Sequence, residues 1–196
     1  MSGILKIGIF GGTFNPPHIA HSIVADNVRE QLKLDRILFI PSGNPPLKES
    51  ISHIHRLAMT KLAFGNDENF EVSDIEIRNP GEKSYTVNTL AGLKEIYKKE
   101  KAELYLIIGL DNLIDFPKWK DPEKLFELSN IIVMNRPGYR IENTVNDYRA
   151  KAKFIRIPEL DISSSDIRRK ISLGQSVRYL VSREVLDYIT ENNLYR

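Results

Sequence analysis

The sequence predicts an α/β protein with a Rossmann-like, doubly wound parallel sheet followed by C-terminal helices. Short β-rich runs alternate with amphipathic helical patterns almost from end to end, which is typical of βαβ units. The strand candidates are nearly continuous apolar runs, as expected for strands that are covered on both faces. The chain has 196 residues and no repeat, low-complexity segment or linker, so we expect a single domain over residues 1–196.

The apolar runs predict six strands. The clearest five lie at residues 6–10, 36–41, 104–109, 130–135 and 153–157. A sixth, at residues 70–77, alternates between apolar and polar side chains for part of its length and is therefore expected nearer to an edge of the sheet.

Apolar residues at helical spacing predict three crossover helices between the strands. Their markers are Ile19, Ile23, Val28 and Leu32, then Leu57, Leu62 and Ala63, then Leu90, Leu93 and Tyr97. Two more helices are predicted near the C-terminus. Ser163 with Asp166 three residues later gives the first a start that resembles a capping box, and Ser182 precedes the second. Gly174 is expected to separate them.

The composition argues against several classes of function. A hydrophobic share of 41%, a charged share of 28% and a net charge of +2 are typical of a globular protein without a large basic surface for nucleic acid or membrane. There is no cysteine, which excludes disulfides, thiolate zinc sites and cysteine nucleophiles. No apolar run approaches the roughly 20 residues of a membrane span. We expect a cytoplasmic protein whose anion recognition is local.

The segment GGTFNPPHIAH directly follows the first predicted strand. In a doubly wound sheet, ligands bind beyond the carboxyl ends of the strands, and the loop after the first strand lies beside the switch point. Gly11 and Gly12 permit a turn and a close approach that a Cβ would block, and the helix that follows offers unpaired N–H groups. These features favour a phosphate site.

Two histidines close this segment. A helix that begins near Pro17 would place His18 and His21 on one face of its first turn, where imidazoles can donate hydrogen bonds to phosphate oxygens. A simple tight turn, surface histidines or a metal pair remain open as alternatives. Without an HExxH motif or cysteine the metal pair is the least favoured, and we predict no protein metal ligand. The segment contains neither GxGxxG nor a P-loop.

A second candidate anion site lies at ISSSDIRRKI, residues 162–171. Hydroxyls and free amides at a helix start can seat an anion, and Arg168 and Arg169 follow about one turn later. On its own this segment would favour a helix cap with a solvated basic face. Together with the first segment it favours a second phosphate-binding element.

The two segments together resemble the signature of the nucleotidyltransferases that transfer adenylyl or cytidylyl groups, written roughly as [HT]xGH early and SSTxIR late. In this chain Ala20 replaces the usual glycine, and Ser165 replaces the threonine and keeps its hydroxyl. The resemblance implies a sheet of the nucleotidyltransferase type.

The whole chain is similar to the bacterial nicotinate-nucleotide adenylyltransferases. Five segments match in order: GGTFNPPH, NPPLK, SYTVNTL, IIGLDNLIDFPKWKD and NRPGY. The departures are Asn15 for the usual aspartate and Leu47 for a histidine. This resemblance implies that the 5′-phosphate of nicotinate mononucleotide attacks the α-phosphorus of ATP and releases pyrophosphate, with no covalent intermediate and with Mg²⁺ bridging phosphate oxygens.

The same resemblance implies the site residues. The reacting phosphates would be contacted by His18, His21 and Arg168. ATP would be bound by Gly11, Gly12, Thr13, Phe14, Lys48, Gly109, Asp111, Ser164 and Ser165. The nicotinate nucleotide would be bound by Tyr85, Thr86, Trp119, Lys120 and Arg136.

Trp119 is the only tryptophan. A lone tryptophan is more often a packing residue, but its polar neighbours suggest an exposed loop, and the resemblance assigns it to stacking on the pyridine ring. The resemblance also places donors for the nicotinate carboxylate at backbone amides around Thr86 and Lys120. Arg136 either adds charge at this end or is a solvated loop residue.

Three rival functions remain open. A related enzyme could use nicotinamide mononucleotide or phosphopantetheine, although Trp119 and SYTVNTL argue against the second because phosphopantetheine has no aromatic ring. A nucleotide-binding regulator without turnover is supported only by Ala20 and Leu47. The expected partners are small-molecule substrates, with no nucleic acid and no membrane, and a homo-oligomer is possible.

Overall fold

The computed structural model describes residues 4–44, 50–78 and 83–196. Within them, six strands form one sheet in the order β3-β2-β1-β4-β5-β6, and all five pairings are parallel. The strands are β1 (Lys6–Gly12), β2 (Arg36–Pro41), β3 (Phe70–Val72), β4 (Glu103–Gly109), β5 (Asn130–Met134) and β6 (Lys153–Ile155). The predicted doubly wound parallel sheet is confirmed. Its order reverses between β1 and β4, so ligands are expected at the carboxyl ends of these two strands.

The helices of the described residues occupy both faces of this sheet. They are α1 (Ile19–Leu32), α2 (His53–Phe64), α3 (Thr86–Ile96), α4 (Leu110–Asp115), α5 (Pro122–Leu128), α6 (Asn146–Lys151), α7 (Ser164–Ser172) and α8 (Arg183–Glu191), with 3₁₀ turns at Phe116–Lys118 and Ile141–Asn143. The three predicted crossover helices and the two C-terminal helices are confirmed. The short helices α4, α5 and α6 were not predicted. No helix among these residues has the length and apolar character of a membrane span.

Three apolar clusters hold these layers together. One covers the face of the sheet under α1 and α2, with Val28, Phe39 and Phe64 fully buried. A second covers the opposite face under α3, α4 and α5. The third joins α2, α7 and α8 through buried residues such as Ile167 and Val185. Because α7 is packed in this way, its N-terminus lies against the loop that follows β1, where Arg168 contacts the loop.

Several predicted boundaries were wrong. β1 runs on through both glycines, because Gly11 pairs with Ile40 and Gly12 with Pro41 of β2. β3 ends at Val72 and β6 at Ile155, earlier than predicted, because each is an edge strand with a neighbour on one side only. α1 begins at Ile19 rather than near Pro17, which makes His18 its N-cap residue.

The serines predicted to start the C-terminal helices do so. Ser163 Oγ accepts a hydrogen bond from the N–H of Asp166 at 3.1 Å, and Ser182 Oγ accepts one from Val185 at 3.3 Å. These contacts pair N–H groups that a helix start leaves unsatisfied. The carboxylate of Asp166 forms an ion pair with Arg169 at 2.6 Å. Gly174 follows α7 with a φ of +69°, a left-handed conformation that ends the helix as predicted.

Candidate active site

A cavity of about 710 Å³ lies at the carboxyl ends of β1 and β4. This volume suits a small-molecule ligand, and its place is the switch point of the sheet. Most of the predicted site residues line it, namely Gly11, Gly12, Thr13, Phe14, His18, His21, Thr86, Gly109, Asp111, Trp119, Arg136, Ser164, Ser165 and Arg168.

Three of the predicted site residues are not among the described residues that line this cavity. Lys48 lies outside the described residues, while Lys120 and Tyr85 contact each other beside the cavity, with Lys120 Nζ 4.8 Å from the ring centroid. The roles of all the predicted site residues stay predictions.

The two glycines at the end of β1 leave room rather than make a turn. Neither has a positive φ. A Cβ on Gly11 would meet no atom within 4 Å and would point into open space at the cavity, whereas a Cβ on Gly12 would approach the ring of Phe14 to 3.0 Å. The residue that turns the chain is Phe14, with a φ of +47°. A ligand can therefore approach the backbone of β1 closely.

His18 and His21 form a stacked pair at the start of α1. Their ring centroids lie 3.7 Å apart, and the backbone N–H of His18 donates to Nδ1 of His21 at 3.1 Å. Because Nδ1 of His21 is an acceptor, the proton of the neutral ring is on Nε2, which can donate to a ligand. Nδ1 of His18 is buried and has no partner among the described residues. The pair therefore offers polar atoms that the fold itself does not use.

Both histidines are neutral near pH 7. Burial, and then the charge of Arg136, lower the pKa of His18 to about 4. Burial lowers the pKa of His21 well below its usual value, with His18 and Arg136 adding to the effect. A triphosphate would act in the opposite direction, because a nearby negative charge favours the protonated imidazole. In the free protein both imidazoles are therefore uncharged, and they can still form hydrogen bonds to a bound phosphate.

The free energy of unfolding is expected to fall between pH 7 and pH 5 because of His18. Its pKa is lower in the folded state than in the unfolded chain, so the unfolded chain binds the proton first as the pH falls and the folded state loses stability. The loss is about 2 kcal/mol at pH 5 and grows until the pH passes the folded pKa. His18→Asn keeps an N-cap residue and removes this titration. Urea unfolding at pH 7 and pH 5 measures how much the free energy of unfolding changes with pH in each protein. An equal change in the wild type and in His18→Asn would contradict the role of His18.

The N-terminus of α7 meets the loop after β1 at the same cavity. Arg168 Nη1 donates to the carbonyl of Asn15 at 2.8 Å, and Nη2 lies 3.3 Å from Ser165 Oγ. Ser164 Oγ donates to the carbonyl of Pro16 at 2.8 Å. The two candidate phosphate-binding segments, far apart in the sequence, are therefore brought together as predicted.

Asp111 and Arg136 lie beside the histidines. Asp111 follows β4, and its Oδ1 is buried without a partner among the described residues. Its other oxygen is 3.9 Å from Nε of Arg136, whose side chain is 57% exposed. A Cβ on Gly109 would collide with the Asp111 carboxylate and would displace it from its present position. Arg136 was predicted at the nicotinate end of the site, and the structure places it close enough to lower the pKa of both imidazoles.

Trp119 follows a 3₁₀ turn rather than standing in an exposed loop. Its ring is half-buried and packs against Phe116, with centroids 5.0 Å apart, while part of it lines the cavity. Its polar neighbours Lys118 and Lys120 are exposed, as their sequence suggested. One face of the tryptophan is thus fixed by the core, which limits its motion where a ligand ring could stack.

Arg56 was not predicted to be a functional residue. It lies on α2, which was predicted as an ordinary amphipathic helix, yet only 1% of it is exposed. A charged residue on such a helix is normally assigned to the solvent face. Backbone carbonyl groups surround it, and the sequence does not show where those groups lie.

The chain matches known proteins along its whole length. Residues 9–170 match the family described as cytidylyltransferase-like. The chain is 40% identical to a probable nicotinate-nucleotide adenylyltransferase of Thermomicrobium roseum, over 97% of this chain and 92% of that protein. It is 39% identical to one of Thermus thermophilus, over 98% and 100%.

A solved structure shows the same relationship. A Plasmodium falciparum nicotinic acid mononucleotide adenylyltransferase complexed with NaAD is 25% identical, with a TM-score of 0.81 over 97% of both chains. Together with the sequence relatives, this confirms the resemblance inferred from the motifs. The chain belongs to the cytidylyltransferase-like family and, within it, to the nicotinate-nucleotide adenylyltransferases.

Proposed function

We propose that this protein transfers the adenylyl group of ATP to the 5′-phosphate of nicotinate mononucleotide, forming nicotinate adenine dinucleotide and pyrophosphate in NAD biosynthesis. The observation that carries this proposal is the convergence of two anion-binding elements on one cavity. The stacked histidines come from the start of α1, and Arg168 with Ser164 comes from α7. The names of the sequence relatives support the same reaction.

The residues supply alignment and charge neutralisation, which in-line transfer at phosphorus needs more than a protein base. Arg168 and the Ser165 hydroxyl bind the β- and γ-phosphates, which become the leaving pyrophosphate, while the Ser164 hydroxyl donates to the Pro16 carbonyl and holds α7 against the loop after β1. Nε2 of His21 donates to a phosphate oxygen whose negative charge grows in the transition state. Asp111 Oδ1, which has no partner among the described residues, accepts from a ribose hydroxyl of ATP.

Mg²⁺ fits this site as an ion held by the substrate. Among the residues that the structure describes, no three histidine, aspartate or glutamate side chains cluster to cage a metal. Mg²⁺ commonly keeps several waters and binds through substrate phosphates with few protein ligands, and it would neutralise charge on the triphosphate. Arg168 and the amides at the start of α7 then complete the neutralisation from the protein side.

The nicotinate end of the site is formed by Trp119 and the start of α3. Thr86 is the first residue of α3, so its backbone N–H has no partner within the helix and faces a region that favours negative charge. The nicotinate carboxylate accepts a hydrogen bond there, while the pyridine ring stacks on Trp119. A nicotinamide could pair its carbonyl oxygen with one of the two backbone donors expected around Thr86 and Lys120, but its own N–H would face the other donor and leave one buried group unpaired, at a cost of about 1–3 kcal/mol.

Pyrophosphate release with ATP and Mg²⁺ tests this function directly. We expect kcat/KM for nicotinate mononucleotide to exceed that for nicotinamide mononucleotide by about 10- to 100-fold, as the unpaired donor predicts. Phosphopantetheine in place of the mononucleotide should give no pyrophosphate. Equal rates with the two mononucleotides would contradict the assigned specificity. Binding of ATP and nicotinate mononucleotide without any pyrophosphate would favour the regulator instead.

A further inference from the structure

Arg56 is a buried arginine whose hydrogen bonds to the described part of the chain all go to neutral oxygens. Its Nη1 donates to the carbonyl of Thr13 at 3.0 Å, its Nη2 to the carbonyl of Gly43 at 3.0 Å and its Nε to the carbonyl of Ile51 at 3.2 Å. Nη1 also lies 3.5 Å from Ser42 Oγ. The planar guanidinium is thus fixed from three sides.

Burying a charged side chain is energetically unfavourable compared with burying an apolar one. Removing a cation from water costs several kcal/mol, and an apolar side chain of similar volume would often be as stable or more stable. Burial accordingly lowers the pKa of the Arg56 guanidinium. Arginine nevertheless remains protonated in proteins, so a positive charge is held permanently behind the cavity. Packing alone therefore does not account for this residue.

The carbonyls that Arg56 holds belong to the ends of two adjacent strands. Thr13 follows β1 and Gly43 follows β2. Because a trans peptide is planar, fixing the Thr13 carbonyl toward Arg56 also fixes the N–H of Phe14 in the opposite direction. Phe14 has a φ of +47°, a conformation that costs energy for a residue with a Cβ and persists only where its surroundings enforce it. Both Thr13 and Phe14 line the cavity.

A second set of hydrogen bonds connects the loop after β2 to the segment before α3, at the other end of the cavity. The N–H groups of Gly43 and Asn44 both donate to Ser84 Oγ at 3.0 Å, and the N–H of Ser84 donates to the carbonyl of Asn44 at 3.2 Å. Ser84 stands two residues before Thr86, where α3 begins. Hydrogen bonds therefore run from the loop after β1 through Arg56 and Gly43 to the segment that leads into α3.

We propose that Arg56 is a positioning residue for adenylyl transfer, which holds the loops after β1 and β2 in the arrangement that binds ATP. The inference rests on the proposed function and adds a residue that does not itself line the cavity. Misplacing reacting groups by about 1 Å can cost on the order of 100-fold in rate, so a loop anchor outside the cavity can have a large effect.

Arg56→Lys and Arg56→Met test this role, with Lys61→Met as the matched control. Lys61 lies on the same helix with its side chain exposed. We expect ATP to bind about 10-fold more weakly to Arg56→Met, and kcat/KM to fall by about 100-fold, with Arg56→Lys intermediate because it keeps the charge but loses the fork. Lys61→Met should match the wild type. ATP affinity is measured by calorimetry without turnover, and the folded fraction by circular dichroism at the assay temperature.

The inference is overturned if a folded Arg56 variant binds and turns over ATP as the wild type does, or if activity falls only in proportion to the folded fraction. Where neither Arg56 variant folds, Ser84→Ala removes the acceptor of Gly43 and Asn44 at the far end of the network. We then expect weaker ATP binding, and unchanged ATP affinity overturns the inference. A wild-type protein that binds ATP but releases no pyrophosphate contradicts the proposed function instead, and the variants' ATP affinities still decide the role of Arg56.

Discussion

Arg168→Ala is expected to lower kcat/KM for adenylyl transfer by about 100- to 1000-fold, the usual effect of removing a donor to transition-state charge. The guanidinium lines the cavity and can bind two phosphate oxygens at once, which no neutral side chain replaces. Stability should fall less than activity, because the variant loses only the hydrogen bonds to the Asn15 carbonyl and to Ser165 Oγ, at about 1–3 kcal/mol. Steady-state pyrophosphate release and urea unfolding measure the two effects separately.

The neighbouring Arg169 provides a matched control. It lies on the same helix, is exposed, and pairs with Asp166 at 2.6 Å. An exposed ion pair of this kind contributes little, so Arg169→Ala should change both activity and stability only slightly. Similar losses of activity in the two variants would mean that general basic charge, and not the position of Arg168, is what matters. A loss of activity in Arg168→Ala that merely follows unfolding would also argue against a site role.

The sequence was most informative where patterns repeat. Long apolar runs and helical spacing predicted the six strands of the described residues and the longer helices, and Ser163 and Ser182 predicted two helix starts that the structure confirms. The short helices escaped prediction because a helix of six or seven residues, such as α4 and α5, has too few turns to show a period. At Gly11 and Gly12 the local preference for a turn was overridden by pairing with β2.

The sequence predicted which types of residue form the site, but not the surroundings of each side chain. Hydroxyls, arginine and imidazoles could be recognised in the sequence, and the packing of α7 against α2 and α8 explains why segments near residues 11–21 and 162–171 meet. The position of Arg136 beside Asp111 could not be foreseen, because it depends on how the loops after β4 and β5 lie against each other. Arg56 could not be foreseen either, since its partners are backbone carbonyls that any residue type provides.

His21→Ala is expected to lower kcat by about 100-fold or more, with a smaller effect on ATP affinity. The reason is that its hydrogen bond to the substrate is stronger in the transition state than in the ATP complex. Nδ1 of His21 already accepts from the backbone of His18, so Nε2 is left to donate to a phosphate oxygen, and that bond strengthens as negative charge develops in the transition state. Single-turnover rates and ATP titration distinguish the two effects. His53→Ala, on α2 and away from the cavity lining, serves as the control and should behave as the wild type.

His21→Gln tests whether the imidazole acts as a neutral donor. Burial keeps the pKa of His21 well below its usual value, so in the free protein it contributes a hydrogen bond and not a charge. A glutamine amide can place an N–H near the position of Nε2 without any charge. We therefore expect His21→Gln to be about 10-fold faster than His21→Ala, the value of one retained hydrogen bond of roughly 1.4 kcal/mol. If both variants were equally slow, a protonated imidazole formed after ATP binds would account for the catalysis instead, because neither replacement can carry that charge.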